Sequence, residues 1–308
     1  MGPEMRTHVF ATETPPMGGR ISVGDRRLAL HRAGAGPVVV FAPGAGLVGL
    51  DFLNIQAAVA GFASAVVYDR AGTGWSEAAR LPRSAADAAG EMRALLAAAG
   101  APPPYVLVGH SLGGAYVRRF AQLHPAETGG LVFLDPAHEG YETMPGPSPL
   151  AMVRQITMLL RALVDLKGFY RPRFEAMLTA WPQPLRARLV DYHLRCWRRS
   201  LDEAKNLNAE VLGEIRAGGP MPDAPMIVLT AMGIDPFMAP FMDEAYLRDL
   251  NRRKAAIYTA FATACPRGEN RLIDGAGHST LHVDRPDAVV QAIRDVVEAA
   301  RARRPAAA

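Results

Sequence analysis

The sequence predicts an α/β fold built on a mostly parallel sheet with helices on both faces. Three observations carry this. Short, almost wholly apolar runs rich in β-branched residues recur at 38–42, 64–69, 105–109 and 131–135, as expected of strands buried on both faces. Segments of helical composition separate them, and strand–helix alternation implies parallel strands joined by crossovers. After Asp135 the alternation breaks for some eighty residues and then resumes, which predicts a helical insertion.

Taken in order, residues 21–23 and 27–32 flank Gly24-Asp25, a dipeptide suited to a tight reversal, so an opening hairpin is expected. Residues 84–99 are rich in Ala, Leu, Glu and Arg and stop before Gly100 and the breaker Pro102-Pro103-Pro104. Residues 112–123 end at His124-Pro125. From 141 to 219 the chain reads as helical, with Leu150, Val153, Ile156, Leu159, Leu160, Leu163 and Val164 at helical spacing, and then a second stretch over 181–215 bearing prolines. Strand patterns return at 226–231 and 271–274. A last helix follows Pro286, with Val289, Val290, Ile293, Val296 and Val297 on one face. The expected organisation is an N-terminal extension over 1–19, a core domain in two parts (20–140 and 223–300), an inserted lid over 141–222 and a flexible tail over 301–308.

Composition narrows the function classes. The chain of 308 residues is 49% hydrophobic and 21% charged, the balance of an ordinary globular protein. The formal charge of +4 comes from scattered arginines and two basic clusters, Arg195, Arg198, Arg199 and Arg252, Arg253, Lys254. Without aromatic interleaving, both are read as solvated helix faces and no nucleic-acid partner is expected. Two cysteines, Cys196 and Cys265, are read as reduced thiols of a cytoplasmic protein. No apolar run approaches a membrane span and no leader segment is evident. No cluster shows metal-ligand spacing and no glycine loop fits a phosphate or dinucleotide site, so neither metal nor cofactor is expected. The partner expected is a small-molecule substrate; nothing specifies an oligomeric state.

Gly109-His110-Ser111-Leu112-Gly113-Gly114 fits the G-x-S-x-G elbow and sits between a predicted strand and a predicted helix. So sharp a turn leaves no room for side chains at 109 and 113. It lifts the Ser111 hydroxyl above the sheet and lets the Leu112 N–H point at an oxyanion. With these residues in view, the chain resembles an α/β-hydrolase of the lid-bearing esterase type, from the first hairpin to the last helix, with the lid the poorly matched part. The resemblance implies a second oxyanion donor in the loop after the third strand, which reads Pro43-Gly44-Ala45-Gly46 where the family usually has His-Gly-x. Since the donor is a backbone N–H, Pro43 does not remove it; Ala45 is preferred over Gly46, and Gly44 and Gly46 border the substrate. Asp69-Arg70-Ala71-Gly72-Thr73-Gly74-Trp75-Ser76 resembles another family loop, read as architectural.

Gly275-Ala276-Gly277-His278-Ser279 follows the last strand, where the family carries its catalytic histidine. A neutral imidazole there accepts the Ser111 proton if a carboxylate holds its other nitrogen. Two aspartates compete. Asp235, past the strand before the histidine strand, stands where most family members place the acid and is preferred. Asp135, at the tip of the earlier strand, stands where a minority place it; Asp274 is a third candidate. Among the other histidines, His110 and His138 are candidates to touch substrate, and His8, His31, His124, His193 and His282 read as structural or exposed.

The implied activity is hydrolysis of a carboxylic ester through an acyl-enzyme. Amide, lactone or carbon–carbon bond hydrolysis and acyl transfer use the same residues, and a ligand-binding receptor on the same fold stays open. Met144, Met152, Met158 and Met177 in the insertion, with Met232, Met238, Met242, Phe237 and Phe241 around Asp235, suggest an adaptable apolar pocket, with Met232 and Phe237 as candidate contacts. They serve equally as packing between lid and core.

Overall fold

A computed structural model describes residues 9–143 and 149–302. Eight strands, β1 (Gly19–Val23), β2 (Arg26–Ala33), β3 (Val38–Ala42), β4 (Ser64–Tyr68), β5 (Tyr105–His110), β6 (Thr128–Leu134), β7 (Met226–Ala231) and β8 (Gly268–Ile273), form one sheet in the order β1-β2-β4-β3-β5-β6-β7-β8. The two pairings involving β2 are antiparallel and the other five parallel. The helices are α1 (Leu53–Val59), α2 (Ala85–Ala98), α3 (Leu112–Leu123), α4 (Pro149–Val164), α5 (Leu166–Met177), α6 (Gln183–Ala204), α7 (Leu212–Ala217), α8 (Glu244–Thr263), α9 (Leu281–Asp284) and α10 (Pro286–Ala302).

The period of two along each buried strand divides the core. Val106 and Val108 of β5 join Val132 and Leu134 of β6 and the α10 stripe of Val289, Ile293, Val296 and Val297 on one face. Leu107, Leu131 and Phe133 meet Met92 of α2, Phe120 of α3 and Tyr258 and Phe261 of α8 on the other. Both faces are covered, so these strands can be apolar at every position.

Four helices, α4 to α7, fall between β6 and β7. α6 docks on the loop after β4 through polar contacts: Tyr192 Oη accepts the Gly74 N–H at 3.0 Å and Arg199 donates to the Gly72 carbonyl at 2.7 Å. Of the apolar stripe foreseen in α4, Val153, Ile156, Leu159, Leu160, Leu163 and Val164 are exposed, while Ala162 is buried. Met144 lies outside the described residues.

One expectation needs correction. Of helix α8 the sequence reading has only the solvated basic face at Arg252, Arg253 and Lys254, and Lys254 is instead buried on it. Its inward stripe runs Leu247, Asn251, Lys254, Tyr258, Phe261. Two of those five are polar, which breaks the hydrophobic period that would have announced the helix. Among the described residues no helix is long and apolar enough to cross a membrane.

Candidate active site

The parallel strands end together at one edge of the sheet, and their tips bring the candidate residues within reach of one another. Ser111 follows β5 directly, with φ +50°, a left-handed conformation that few side chains adopt. The elbow is held by its own main chain: the Ser111 carbonyl accepts from Gly114 N and Ala137 N, each at 2.9 Å. A Cβ on Gly109 would lie 2.6 Å from Val117 Cγ2, and one on Gly113 would lie 2.0 Å from the Ala42 carbonyl oxygen. Both positions therefore require glycine. Leu112 opens α3, so its N–H has no intrahelical partner.

His278 bridges serine and carboxylate. Its Nε2 lies 3.1 Å from Ser111 Oγ and its Nδ1 lies 2.6 Å from Asp135 Oδ2. With the ring proton on Nδ1, that nitrogen donates to the carboxylate and Nε2 is left to accept from the serine hydroxyl. Asp135 is fully buried at the tip of β6, with φ +46°. Its Oδ1 accepts the Ala231 N–H at 2.9 Å, and its Oδ2 also receives Lys254 Nζ at 2.7 Å. Burial alone would raise the Asp135 pKa, but the Lys254 ammonium and the His278 hydrogen bond outweigh it and hold the carboxyl down at about 2.

The carboxylate facing His278 is thus that of Asp135 and not that of Asp235, the candidate preferred from sequence. Asp235 is buried close by, yet its oxygens are occupied by main-chain amides: Oδ1 accepts Phe237 N at 2.8 Å and Met238 N at 2.9 Å, and Oδ2 accepts Ser279 N. It ties the loop after β7 to the residue following His278. Spacing along the sequence places both aspartates at neighbouring strand tips and does not say which carboxylate meets the ring. Asp274 is exposed and does not join the group.

The loop after β3 lies against the elbow, since a Cβ on Gly44 would meet His110 Nδ1 at 2.7 Å and Ser111 Cβ at 3.2 Å. Gly46 N–H is committed to Glu203 Oε2 of α6 at 2.7 Å. Arg70 fastens the same loop, donating to the carbonyls of Pro43 at 2.6 Å and Gly44 at 2.9 Å. His110 Nε2 donates to the His278 carbonyl at 2.8 Å, and its ring centroid stands 5.1 Å from that of His278. Burial and the neighbouring His278 push the His110 pKa down to about 4, so it is neutral near pH 7.

A cavity of about 280 Å³ opens onto Ser111 and His278. Gly44, Ala45, Gly46, His110 and Phe237 line it, as do Tyr170, Phe174, Met177 and Leu194 from the inserted helices. Met232 does not line it; its N–H is engaged with the Ile273 carbonyl at the end of the β7–β8 pair. Met177 is the methionine from the insertion that reaches the cavity. His193, read from sequence as structural or exposed, is buried and also borders it; it stacks on Phe174 at 4.4 Å and bonds Asp51 at 3.0 Å. His138 packs instead on Tyr258 and Phe261, away from the cavity. Among the described residues, no charged side chain lines this space, and no three or more His, Cys, Asp or Glu gather as a metal site.

Comparison with known proteins agrees with this architecture. Residues 39–292 match the model of the alpha/beta hydrolase family, and the chain belongs to that family. A curated relative from Hormonema carpetanum, described as the probable transporter efuK, is 32% identical over 141 residues, which is 42% of this chain and 20% of that protein. The chain spans less than half the length of the curated relatives it matches. Among solved structures, the enol-lactonase of Burkholderia xenovorans LB400 is 16% identical with a TM-score of 0.62, covering 91% of this chain and 99% of that one. The epoxide hydrolase CorEH is 17% identical with a TM-score of 0.65, covering 91% and 97%. Likeness at this level of identity concerns the fold.

Proposed function

We infer that the protein is a serine hydrolase acting on carboxylic esters with an uncharged, apolar acyl or alcohol part of small to medium size. The observation that carries the reading is the continuous hydrogen-bonded chain from Ser111 through His278 to the buried, ionised Asp135. In acylation the Ser111 proton passes to His278 Nε2 while Oγ attacks the acyl carbon. The imidazolium returns that proton to the departing alcohol oxygen, leaving an acyl-serine. Water then gives a proton to Nε2 as its oxygen attacks the acyl carbon, and the serine leaves with the proton as the acid is released. Asp135 stabilises the imidazolium at both stages and fixes the tautomer.

Negative charge develops on the substrate carbonyl oxygen at each attack. Leu112 N–H, at the start of α3, and Ala45 N–H are its donors; the commitment of Gly46 N–H to Glu203 supports Ala45 over its neighbour. A serine at the elbow does not supply the carboxylate nucleophile that opens epoxides or displaces halides. The absence of charged side chains among the described cavity residues supports an uncharged substrate, because a buried ion there would lack a partner. α4 to α7 serve as the lid in this reading.

The test is labelling by a fluorophosphonate together with turnover of p-nitrophenyl esters by wild type, Ser111→Ala, His278→Ala and the double variant. Turnover is expected to be lost in both single variants, and the double variant to be little worse than either, because the two residues act as a unit. Equal turnover by wild type and Ser111→Ala would overturn the reading, and labelling without turnover of any ester would favour a receptor.

A further inference from the structure

A buried lysine that touches the carboxylate of the proposed triad is the feature the hydrolytic scheme does not use. Lys254 projects from α8, its side chain 7% exposed, a placement that is costly for an ammonium without partners. Nζ lies 2.7 Å from Asp135 Oδ2 and 3.1 Å from Asn251 Oδ1, three residues earlier on the same helix. Asn251 is itself anchored, donating to the Gly233 carbonyl at 2.8 Å. The oxygen that holds Lys254 is the one that takes His278 Nδ1 at 2.6 Å, while the other oxygen is engaged by Ala231 N–H.

We propose that Lys254 is a positioning residue acting through Asp135: sharing Oδ2 with His278, it fixes the rotation of the carboxylate and weakens its pull on an imidazolium. The proposal rests on the serine-hydrolase reading for its catalytic meaning, but its electrostatic content does not depend on turnover.

The physical reason is the charge already present beside the ring. A lone carboxylate opposite an imidazole favours the protonated ring, whereas a carboxylate matched by an ammonium presents a dipole of much smaller field. The other groups around His278 do not supply a competing cation. His110 from β5 is held neutral by burial and by His278. Asp235 from the loop after β7 is occupied by main-chain amides. His282 from α9, facing His110, is pushed by burial down to about 3. The hydroxyls of Tyr141 and Tyr258, on the Asp135 side, are pushed by burial well above their ordinary range and stay neutral. Among these described neighbours, Lys254 is the cation.

The test follows the titration of the His278 imidazole by NMR in the wild-type protein, in Lys254→Met and in Lys254→Arg, the signal being assigned by its loss in His278→Asn. Removing a positive charge favours the protonated ring. The midpoint in Lys254→Met is therefore expected to rise by about one unit, and Lys254→Arg, which keeps the charge, to stay within a few tenths of wild type. Where the proposed hydrolysis operates, the acid limb of kcat/KM moves with it, costing about tenfold one unit below both midpoints. Should Lys254→Met fail to fold, Lys254→Gln reads the same loss of charge with a donor retained. A midpoint unchanged or lowered in the charge-free variant would overturn the proposal and leave Lys254 a structural countercharge. Absence of esterase turnover and of fluorophosphonate labelling in wild type would instead refute the hydrolase reading, with the NMR midpoint still deciding the role of Lys254.

Discussion

Arg70 and Glu203 meet in a buried, fork-to-fork ion pair that joins the loop after β4 to the last turn of α6. Arg70 Nε lies 2.8 Å from Glu203 Oε1 and Nη2 lies 3.0 Å from Oε2, and the two side chains are 4% and 3% exposed. The same two residues grip the loop after β3, Arg70 through the carbonyls of Pro43 and Gly44 and Glu203 through Gly46 N–H. A residue of the inserted helices thus helps set the conformation of the loop proposed to supply the Ala45 donor.

Removing Glu203 separates these contributions. Glu203→Ala leaves the Arg70 guanidinium buried without a countercharge, which costs about 3–5 kcal/mol of stability. It also frees Gly46, so kcat is expected to fall by about 10²-fold, near the lower cost of losing an oxyanion donor. Urea denaturation and ester turnover measure the two effects. A variant that loses stability and keeps full kcat would show that the ion pair does not hold the donor loop.

The two aspartates are expected to fail differently. Asp135→Asn removes the carboxylate that fixes the His278 tautomer, and kcat is expected to drop by about 10⁴-fold. Asp235→Asn disturbs acceptors of three main-chain N–H groups and is expected to cost about 1–3 kcal/mol of stability, with kcat reduced no more than about tenfold. Turnover numbers and denaturation midpoints for both variants check this. If Asp235→Asn alone is crippled, the assignment drawn from the His278 contact is wrong.

Acid should destabilise the fold before it reaches the ordinary carboxylate range. Burial lowers the pKa of His110 and His138 to about 4 and of His282 to about 3. A histidine depressed in the folded state gives stability that is complete above its unfolded value of about 6.5 and is lost as pH falls below it. Asp69 opposes this: burial raises its pKa to about 6, so between about 4 and 6 the folded protein holds a proton that the unfolded chain has released. The histidines outnumber it. Stability is expected to fall by at least about 2 kcal/mol from pH 7.5 to pH 5, and His282→Phe, which keeps a ring against Phe52, to make that slope shallower. Urea titrations at the two pH values test it; a flat profile would mean that these histidines gain compensating partners on protonation.

The legible parts of the sequence were those whose physics is local. β3 to β7 announced themselves because burial on both faces makes a strand apolar at every position, and the elbow because its G-x-S-x-G pattern falls where an apolar strand run gives way to a helical one. What escaped detection depends on which tips and helices meet in space. Asp135 and Asp235 have similar local contexts, and Asp135 and His278, 143 positions apart, carry no record of their contact in the sequence. Lys254 was hidden for the same reason: its neighbours Arg252 and Arg253 pair with Asp249 at the surface, and only the stripe shared with Leu247, Asn251 and Tyr258 marks it as inward. Glu203 lies at the end of a helix whose composition is largely polar, and its partner is 133 residues away.

Substrate choice is expected to follow the cavity. At about 280 Å³ it admits a small to medium group beside the acyl carbon, and its walls include Tyr170, Phe174, Met177, Leu194 and Phe237. Of the polar side chains that line it, His193 is engaged with Asp51 and Ser200 with the Ala45 carbonyl at 3.4 Å. An ammonium or carboxylate on the substrate would lose its hydration and find no opposite charge among the described lining residues. Across p-nitrophenyl esters of increasing chain length, with aromatic and amino-acid esters alongside, kcat/KM is therefore expected to favour uncharged members. Each accommodated methylene contributes no more than about 1–3 kcal/mol, so the profile should rise to a shallow maximum at short to medium chains and fall where the cavity is filled. Trp197→Ala, which enlarges the cavity wall on α6, should move that maximum toward longer chains. If the enzyme passes over all of these and cleaves a cationic amide or peptide, the apolar pocket is not where the substrate binds.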